Sequence, residues 1–188
     1  MKNPIKITLV FIVLSLIKIH AQNVDYSKLP GYVNFGDLSV FESGNEVTEV
    51  LIDHNLLKLV AKFTEGRGED EDELSNLIGG LQLIRVNTFE VSPSDKEELL
   101  RRVKKIERDL RKKNWQRIVR TKSKDEVTNI FIRTDNQSDK IVGLAIMTLD
   151  SLGEASFVNI VGNIDMETVG KLSNKFDIPG LDSLDNSN

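Results

Sequence analysis

The stretch Lys140-Ile-Val-Gly-Leu-Ala-Ile-Met-Thr-Leu149 lies between the polar segments Asp135–Asp139 and Asp150–Gly153. Within residues 141–149, apolar side chains occur at both odd and even positions, so both faces of a strand formed here would be apolar and need burial. Strands of this kind lie in the centre of a sheet. A helix would be too short for its polar boundaries, and Gly143 would cost it about 1 kcal/mol. The pattern therefore predicts a central β-strand.

Outward from this strand, the C-terminal half of the chain shows regularly spaced strand patterns. Trp115–Thr121, Glu126–Thr134 and Glu154–Val161 are separated from it and from one another by polar turns of four to five residues. Such spacing predicts an antiparallel meander of four strands. Gly162-Asn163 is expected to end the last strand, and Asp165 is expected to cap a following helix, Asp165–Phe176.

The N-terminal half supplies two further strand patterns and a helix. Tyr32–Phe41 and Glu46–Ile52 alternate between apolar and polar residues, which predicts a β-hairpin. Asp53 is the expected N-cap of the next helix. This helix carries one apolar stripe at helical spacing, made of Leu56, Leu59, Val60 and Phe63.

The longest predicted helix follows another strand, Leu81–Val91. Ser94 is its expected N-cap, with Glu97 as the capping-box partner. Its apolar residues form a single narrow face that predicts packing on a sheet: Leu99, Val103, Ile106 and Leu110. The element order predicts an α+β two-layer sandwich, with one mainly antiparallel sheet of about five to seven strands and helices packed on it.

Residues 1–21 have the pattern of a secretory signal peptide. Lys2 and Lys6 precede the apolar run Ile7–Ile17, and the small residue Ala21 marks the expected cleavage site. The run is shorter than the about 20 apolar residues that span a bilayer. No cysteine follows it, so lipid attachment is excluded. We expect an exported protein of the periplasm or cell envelope that is not lipid-anchored.

The mature chain is predicted to be one acidic domain. Cleavage removes three lysines and no acids, so the formal charge changes from −4 to −7. The remaining residues suffice for one hydrophobic core, which we place in a single α+β domain over 22–178. Residues 179–188 are predicted to form a flexible tail. The absence of cysteine means that the core stabilises the fold without disulfides.

The outward side of the longest helix is strongly basic. Residues 94–124 contain thirteen bases and five acids, a local formal charge of +8. Nucleic acid is not the expected partner, because the chain is exported and Trp115 alone makes no stacking series. Anionic envelope lipid or glycan is the functional hypothesis, and a solvated face with i,i+4 ion pairs is the commoner alternative. The candidate anion-contact patch consists of Arg101, Lys104, Lys105, Arg108 and Lys112.

The segment Glu65–Glu73 carries six acids and one base. Clustered carboxylates suit calcium, but the glycine and final glutamate of an EF-hand loop are not at the required spacing. The preferred interpretation is a solvated linker whose acids favour the start of a short helix, Asp72–Leu77. We therefore predict no metal ion and no cofactor.

The sequence contains no recognisable catalytic motif. Cysteine is absent, and His54 is the only histidine after cleavage, so thiol and multi-histidine mechanisms are excluded. No nucleophile elbow surrounds a serine, and a surface or capping role is expected for His54. Catalytic residues are therefore predicted to be absent. A hydrolase that uses only carboxylates stays open as the alternative.

Two short patterns bear on modification. Asp150-Ser151-Leu152 and Asp182-Ser183-Leu184 resemble the Asp-Ser/Thr-apolar pattern of O-glycosylation in some Gram-negative envelopes. A match of three residues arises easily by chance. Glycosylation of Ser151 or Ser183 is therefore left open.

Three segments also carry a resemblance to a known family: Leu29-Pro-Gly-Tyr-Val-Asn-Phe-Gly-Asp37, Glu46-Val-Thr-Glu-Val50 and Phe157-Val-Asn-Ile-Val-Gly-Asn-Ile-Asp165. They resemble the DUF4252 family of small exported bacterial envelope proteins, whose members similarly end in a strand reading "VNI.G.ID" and a short helix. The resemblance implies no mechanism and supplies no catalytic residues. We expect a non-enzymatic binding module for an unknown envelope protein or glycan. The alternative is a small carboxylate-dependent hydrolase of envelope glycan.

Overall fold

The structure, a computed structural model, describes residues 25–64, 75, 78–123, 126–135, 137 and 140–164. Within these ranges, six strands form one sheet in which every neighbouring pair is antiparallel. With helices packed on this sheet, the fold is α+β, as predicted. The main elements are β1 Glu42–Asp53, α1 His54–Thr64, β2 Leu81–Val91, α2 Lys96–Lys112, β3 Gln116–Lys122, β4 Val127–Thr134, β5 Ile141–Leu149 and β6 Glu154–Ile164.

The strand order is β1-β2-β6-β5-β4-β3, so β5 is a central strand and β3 to β6 form the predicted meander. Leu144, Ala145 and Ile146 are fully buried, because β5 is covered on both faces. The predicted end of β6 at Gly162-Asn163 is wrong. Gly162 has a φ of 140°, a conformation open to glycine, and the strand continues to Ile164 beside an irregularity in its pairing with β2.

The two faces of the sheet differ in composition. One face, called the aromatic face below, carries Phe89, Phe131 and Phe157 and packs against the buried side of α2. On the opposite, aliphatic face, Leu57 and Ala61 of α1 join the core cluster of the strands. The fully or nearly fully buried residues of the central strands on that face are Ile84, Ile130, Leu144, Ile146, Val158 and Ile160.

Helix α2 packs as the sequence predicts but begins differently. Leu99, Val103, Ile106 and Leu110 are its buried residues, which confirms the predicted face. The predicted capping box at Ser94 is wrong, because the residue before the helix is Asp95 and no side chain caps the first turn. The Asp95 carboxylate instead accepts a hydrogen bond from the hydroxyl of Ser92 at 2.7 Å in the preceding turn.

Helix α1 is confirmed, as is its cap, since the Leu56 amide donates to the Asp53 carboxylate at 2.9 Å. Its buried residues are Leu57 and Ala61. The predicted stripe faces outward, with exposed fractions between 39 and 61 %. The helix follows β1 without a loop, so the end of the strand determines which side of the helix meets the sheet. The exposed residues are Leu56, Leu59, Val60 and Phe63.

The predicted hairpin of Tyr32–Phe41 with Glu46–Ile52 is wrong, because β1 pairs with β2 instead. Residues Asp25–Leu38, called the N-terminal lead below, contain one short 3-10 turn, Tyr26–Lys28, and otherwise no regular element. A second 3-10 turn, Ser39–Phe41, leads into β1. Backbone groups of the lead form hydrogen bonds with the side chain of Asn159 on the aromatic face.

Several predictions concern residues outside the described ranges. They are the signal peptide 1–21, the acidic segment Glu65–Glu73, the helix Asp165–Phe176 and the tail 179–188. Within the described ranges, no helix is both long enough and apolar enough to cross a membrane.

Candidate functional site

The side chain of Asn159 anchors the N-terminal lead on the aromatic face. Its Oδ1 accepts a hydrogen bond from the amide of Val33 at 2.8 Å, and its Nδ2 donates to the carbonyl of Gly31 at 2.9 Å. Nδ2 also donates to the carbonyl of Leu144 at 3.1 Å. Asn159 is fully buried, so these bonds satisfy polar groups that water does not reach. One amide thus supplies the bonds that a neighbouring strand would otherwise provide.

Two glycines allow the lead to cross the sheet closely. A Cβ atom at Gly143 would lie 2.6 Å from the Cα of Gly31 and 2.7 Å from the indole ring of Trp115. Real Cβ atoms do not approach other atoms so closely. Gly143, a poor residue for a helix, is therefore required here because two backbone segments meet.

Phe35 and Arg102 join the lead to the core and to α2. The ring of Phe35 is fully buried and meets Phe157 edge to face, with 5.3 Å between ring centroids. Arg102 of α2 donates to the carbonyl of Asp37 at 3.3 Å, and its guanidinium lies 5.5 Å from the ring centroid of Phe41. These contacts hold the lead beside α2.

A cleft of about 500 Å³ lies between the lead and α2. The lead contributes Tyr32 and Asn34 among its lining residues. In the described part of the chain, the charged lining residues come from α2 and its C-terminal end, and they are three bases and one acid: Arg102, Lys105, Lys113 and Asp109. The excess of bases gives the cleft a positive local charge, which favours an anionic ligand.

Asp109 is held as a carboxylate within this basic group. Lys105 lies 3.2 Å from one of its oxygens and Lys112 lies 3.9 Å from the other. The hydrogen bond from Lys105 lowers the pKa of Asp109 below its usual range, and the charges of Lys105, Lys112 and Arg108 act in the same direction. Lys105 is largely exposed and Asp109 is about half exposed, so the pair is weak and the lysine can bind a ligand instead.

The five residues of the candidate anion-contact patch lie on the side of α2 that faces away from the sheet. Arg101 pairs with Glu98 at 2.6 Å and with Glu97 at 3.6 Å, and the hydrogen bond to Glu98 raises the pKa of Arg101. Lys105 and Lys112 both pair with Asp109. Among the described residues, Lys104 and Arg108 make no ion pair closer than 4.0 Å. Only Lys105 of the five lines the cleft.

The sequence did not single out Arg102 and Lys113 as site residues. Helical periodicity shows which side of α2 faces water, but it does not show that the lead lies along one flank of that side. The signal was the polar residue Asn159 in the otherwise apolar run Phe157–Val161, because a buried amide requires partners. Two of its three partners are backbone groups of the lead.

His54 has the surface position expected for it. Its ring is exposed at the start of α1, and its Nδ1 lies 3.3 Å from the carbonyl oxygen of Leu81. It lines a separate cavity of about 340 Å³ with Asp53 and Tyr26. In the part of the chain that the structure describes, no three potential metal ligands lie together.

Comparison with known proteins gives a family for this fold. Residues 41–172 match the family model described as a domain of unknown function, DUF4252. This chain belongs to the DUF4252 family. No curated protein and no solved structure matches it significantly. The matched range contains Glu46–Val50 and Phe157–Asp165, two of the segments on which the resemblance rested, whereas Leu29–Asp37 precedes it. Asn159 therefore links the DUF4252 region to a lead that lies outside the match.

Proposed function

We propose that the protein is an exported, non-enzymatic binding module of the cell envelope whose cleft binds an anionic saccharide. The observation that carries this proposal is the charge of the cleft, whose described lining includes three bases and one acid. A volume of about 500 Å³ lies within the range of small-ligand sites.

The other lining groups suit a sugar acid. Tyr32 offers a ring and a hydroxyl, and Asn34 offers an amide, which are groups that bind sugar hydroxyls. Lys105 and Lys113 are exposed point charges that bind a carboxylate without a fixed geometry. The outward patch is a weaker candidate for an anionic surface, because it shares Lys105 with the cleft and two of its other four bases, Arg101 and Lys112, are paired with acids.

The cleft favours binding over hydrolysis of a glycan. Glycosidases use two carboxyl groups, one of which has a raised pKa and donates a proton. Among the described residues, a single acid lines the cleft, Asp109, and its pKa is lowered. Asp109 therefore stays ionised near neutral pH and lacks the proton that a general acid supplies.

The test is a calorimetric titration of the protein with a short oligomer of galacturonic acid at low salt. We expect the variant Lys105→Glu/Lys113→Glu to bind at least tenfold more weakly than the wild type. The matched control Lys104→Glu/Arg108→Glu changes the net charge by the same amount on the outward side of α2. Its affinity should stay within about twofold of the wild type once salt screens the long-range electrostatic effect of the charge change. Equal losses in the two variants would overturn the cleft assignment.

A second variant tests the sign of the effect. Asp109→Asn removes the negative charge of Asp109 from the cleft, so affinity for the oligomer should rise severalfold. The affinity for a neutral glucose oligomer should change in none of these variants.

Co-sedimentation with anionic phosphatidylglycerol vesicles addresses the lipid alternative. Pelleting that depends on Lys104 and Arg108, without saccharide binding, would replace the saccharide proposal by a membrane-surface role.

Export is part of the same proposal and has its own test. The apolar run of residues 7–17 is too short to span a bilayer and precedes a small residue at position 21. N-terminal sequencing of the protein from the envelope fraction should begin at Gln22. A protein that retains Met1 would contradict cleavage.

A further inference from the structure

The two edges of the sheet carry opposite charges. The edge strand β1 contains Glu42, Glu46, Glu49 and Asp53 and no base. The edge strand β3 contains Arg117, Arg120 and Lys122 and no acid. Among the described residues, each of these strands pairs with one neighbour, so each has a second side without a partner strand.

The pairing register shows which β1 residues direct their backbone groups outward. Val91 of β2 donates to the carbonyl of Gly153 at 2.9 Å, and antiparallel pairs alternate in their hydrogen bonding. Every second residue of β2, counted back from Val91, therefore bonds to β6 through its backbone. The residues between them bond to β1. The β1 residues between these bonded positions point their amides and carbonyls away from the sheet. They are Val47, Glu49 and Leu51.

The same argument applies to β3. The amide of Ser123 donates to the carbonyl of Glu126 at 3.0 Å at the turn between β3 and β4. Thr121, two residues earlier, therefore also bonds to β4, and the residues between point outward. These are Arg120 and Lys122, both exposed. The outward-facing backbone of β1 thus belongs to an acid between two apolar residues, and that of β3 to two bases.

The strand number makes these edges compatible. Six alternating antiparallel strands place β1 and β3 in opposite directions. A second copy shifted sideways without rotation would bring its β3 beside β1 in antiparallel orientation. The aromatic faces of both copies would then lie on the same side. Glu49 lies opposite Asn87 and Arg120 opposite Asn129, and both partners are on the aromatic face, two residues from Phe89 and Phe131. Glu49 and the bases Arg120 and Lys122 would therefore project from one face of the joint. Joining two β1 edges would instead place acids opposite acids, and joining two β3 edges would place bases opposite bases.

We propose that the protein associates with a second copy of itself head to tail, with β1 of one copy extending the sheet of the next at β3. Apolar side chains are exposed on both edges, with 43 % of Val47, 56 % of Leu51 and 39 % of Ile118 accessible, and the joint would cover them. Beside Glu49 lies a hollow of about 420 Å³ that Tyr26 and Tyr32 also line, and it can receive a basic side chain from the neighbouring copy. Arg85 lines the same hollow and limits its negative charge.

Charged residues on edge strands commonly prevent aggregation. Here the charges oppose the pairing of like edges, but they favour the pairing of unlike edges. The contact is heterologous, so it produces open chains of copies rather than a closed dimer. Because the attraction is electrostatic and exposed, association should weaken with salt.

Sedimentation velocity of the purified protein at rising concentration tests the proposal. The mean mass of the wild type should rise with concentration at low salt and rise less at high salt. Glu49→Lys and Arg120→Glu/Lys122→Glu should each weaken association at least tenfold. Combining all three changes in one chain should restore it, because positions 49 and 120 lie on opposite edges and meet only between copies.

The matched control is Lys104→Glu, which reverses a base on α2 away from both edges and should leave association within about twofold of the wild type. Circular dichroism melts establish that each variant is folded, and a variant that does not fold is replaced by Glu49→Gln or Arg120→Gln, for which a smaller loss is expected. A wild type that stays monomeric at low salt overturns the proposal. So does a triple variant that stays as weak as its parents.

Discussion

The two faces of the sheet differ in their residues and in the segments that pack on them. At the centre of the aliphatic face, isoleucine, leucine and valine from four strands pack with residues of α1. The aromatic face mixes phenylalanine and methionine with three buried asparagines, and it holds both α2 and the N-terminal lead. The asparagines are Asn87, Asn129 and Asn159.

The difference between the faces shows where stability and site geometry arise. Burial of apolar surface is favourable but has no preferred direction, so the aliphatic face stabilises the sheet without orienting a segment. Hydrogen bonds are directional, and those of Asn159 fix the lead beside α2. Polar groups in a core carry a cost, since Asn129 and the Trp115 indole nitrogen find no hydrogen-bond partner among the described residues.

The largest expected effect is the replacement of Leu144 or Ile146 by Asp on the aliphatic face. Both side chains are fully buried, and an unpaired carboxylate there costs several kcal/mol, about the whole free energy of unfolding of such a domain. Circular dichroism should show an unfolded protein at 25 °C. The control Leu152→Asp, in an exposed turn, should melt like the wild type. A folded Leu144→Asp variant would contradict the central position of β5.

A smaller loss is expected for Asn159→Leu on the aromatic face. The side chain has a similar size, but the Val33 amide and the Gly31 carbonyl lose a buried partner, so the free energy of unfolding should fall by about 2–4 kcal/mol. Urea denaturation measures this change. Saccharide binding in the cleft should weaken in the folded variant as well, because the lead is no longer fixed. Unchanged stability would show that Phe35 and Arg102 hold the lead without Asn159.

The matched substitution at Asn129 should instead raise the free energy of unfolding. Asn129→Leu replaces a buried amide that lacks hydrogen bonds among the described residues, so the protein should become about 1 kcal/mol more stable in the same urea experiment. The paired measurement compares two asparagines on one face that differ in their bonds. Equal destabilisation by both substitutions would indicate that shape, rather than hydrogen bonding, determines stability on this face.

The smallest effect is expected on the exposed side of α1. Leu59→Ser and Phe63→Ser remove side chains that are about half exposed, so each should change the free energy of unfolding by no more than about 0.5 kcal/mol. Leu57→Ala on the buried side should cost about 2–3 kcal/mol in the same helix. The reverse order in thermal melts would show that the periodic stripe, and not Leu57, faces the core.

Local sequence patterns by themselves determined most of the regular elements. Alternation and turn residues predicted β2 to β6, and helical spacing predicted the buried side of α2, because these patterns depend on neighbours within a few positions. The double-sided apolar run at Ile141–Leu149 identified a central strand for the same reason. The family was also recognisable from short segments.

Only the tertiary structure decided the position of the lead, the orientation of α1 and the cleft. Tyr32–Phe41 alternates like a strand, but its backbone bonds to side chains rather than to a neighbouring strand. The Val33 amide donates to Asn159, more than a hundred positions away, and the Asp37 carbonyl accepts from Arg102. The outward stripe of α1 has the spacing of a buried face, but the end of β1 turns the helix so that Leu57 and Ala61 meet the sheet. Interactions between distant residues leave no periodic signal in the sequence. The cleft forms where the lead meets α2, so it exists only in the folded molecule.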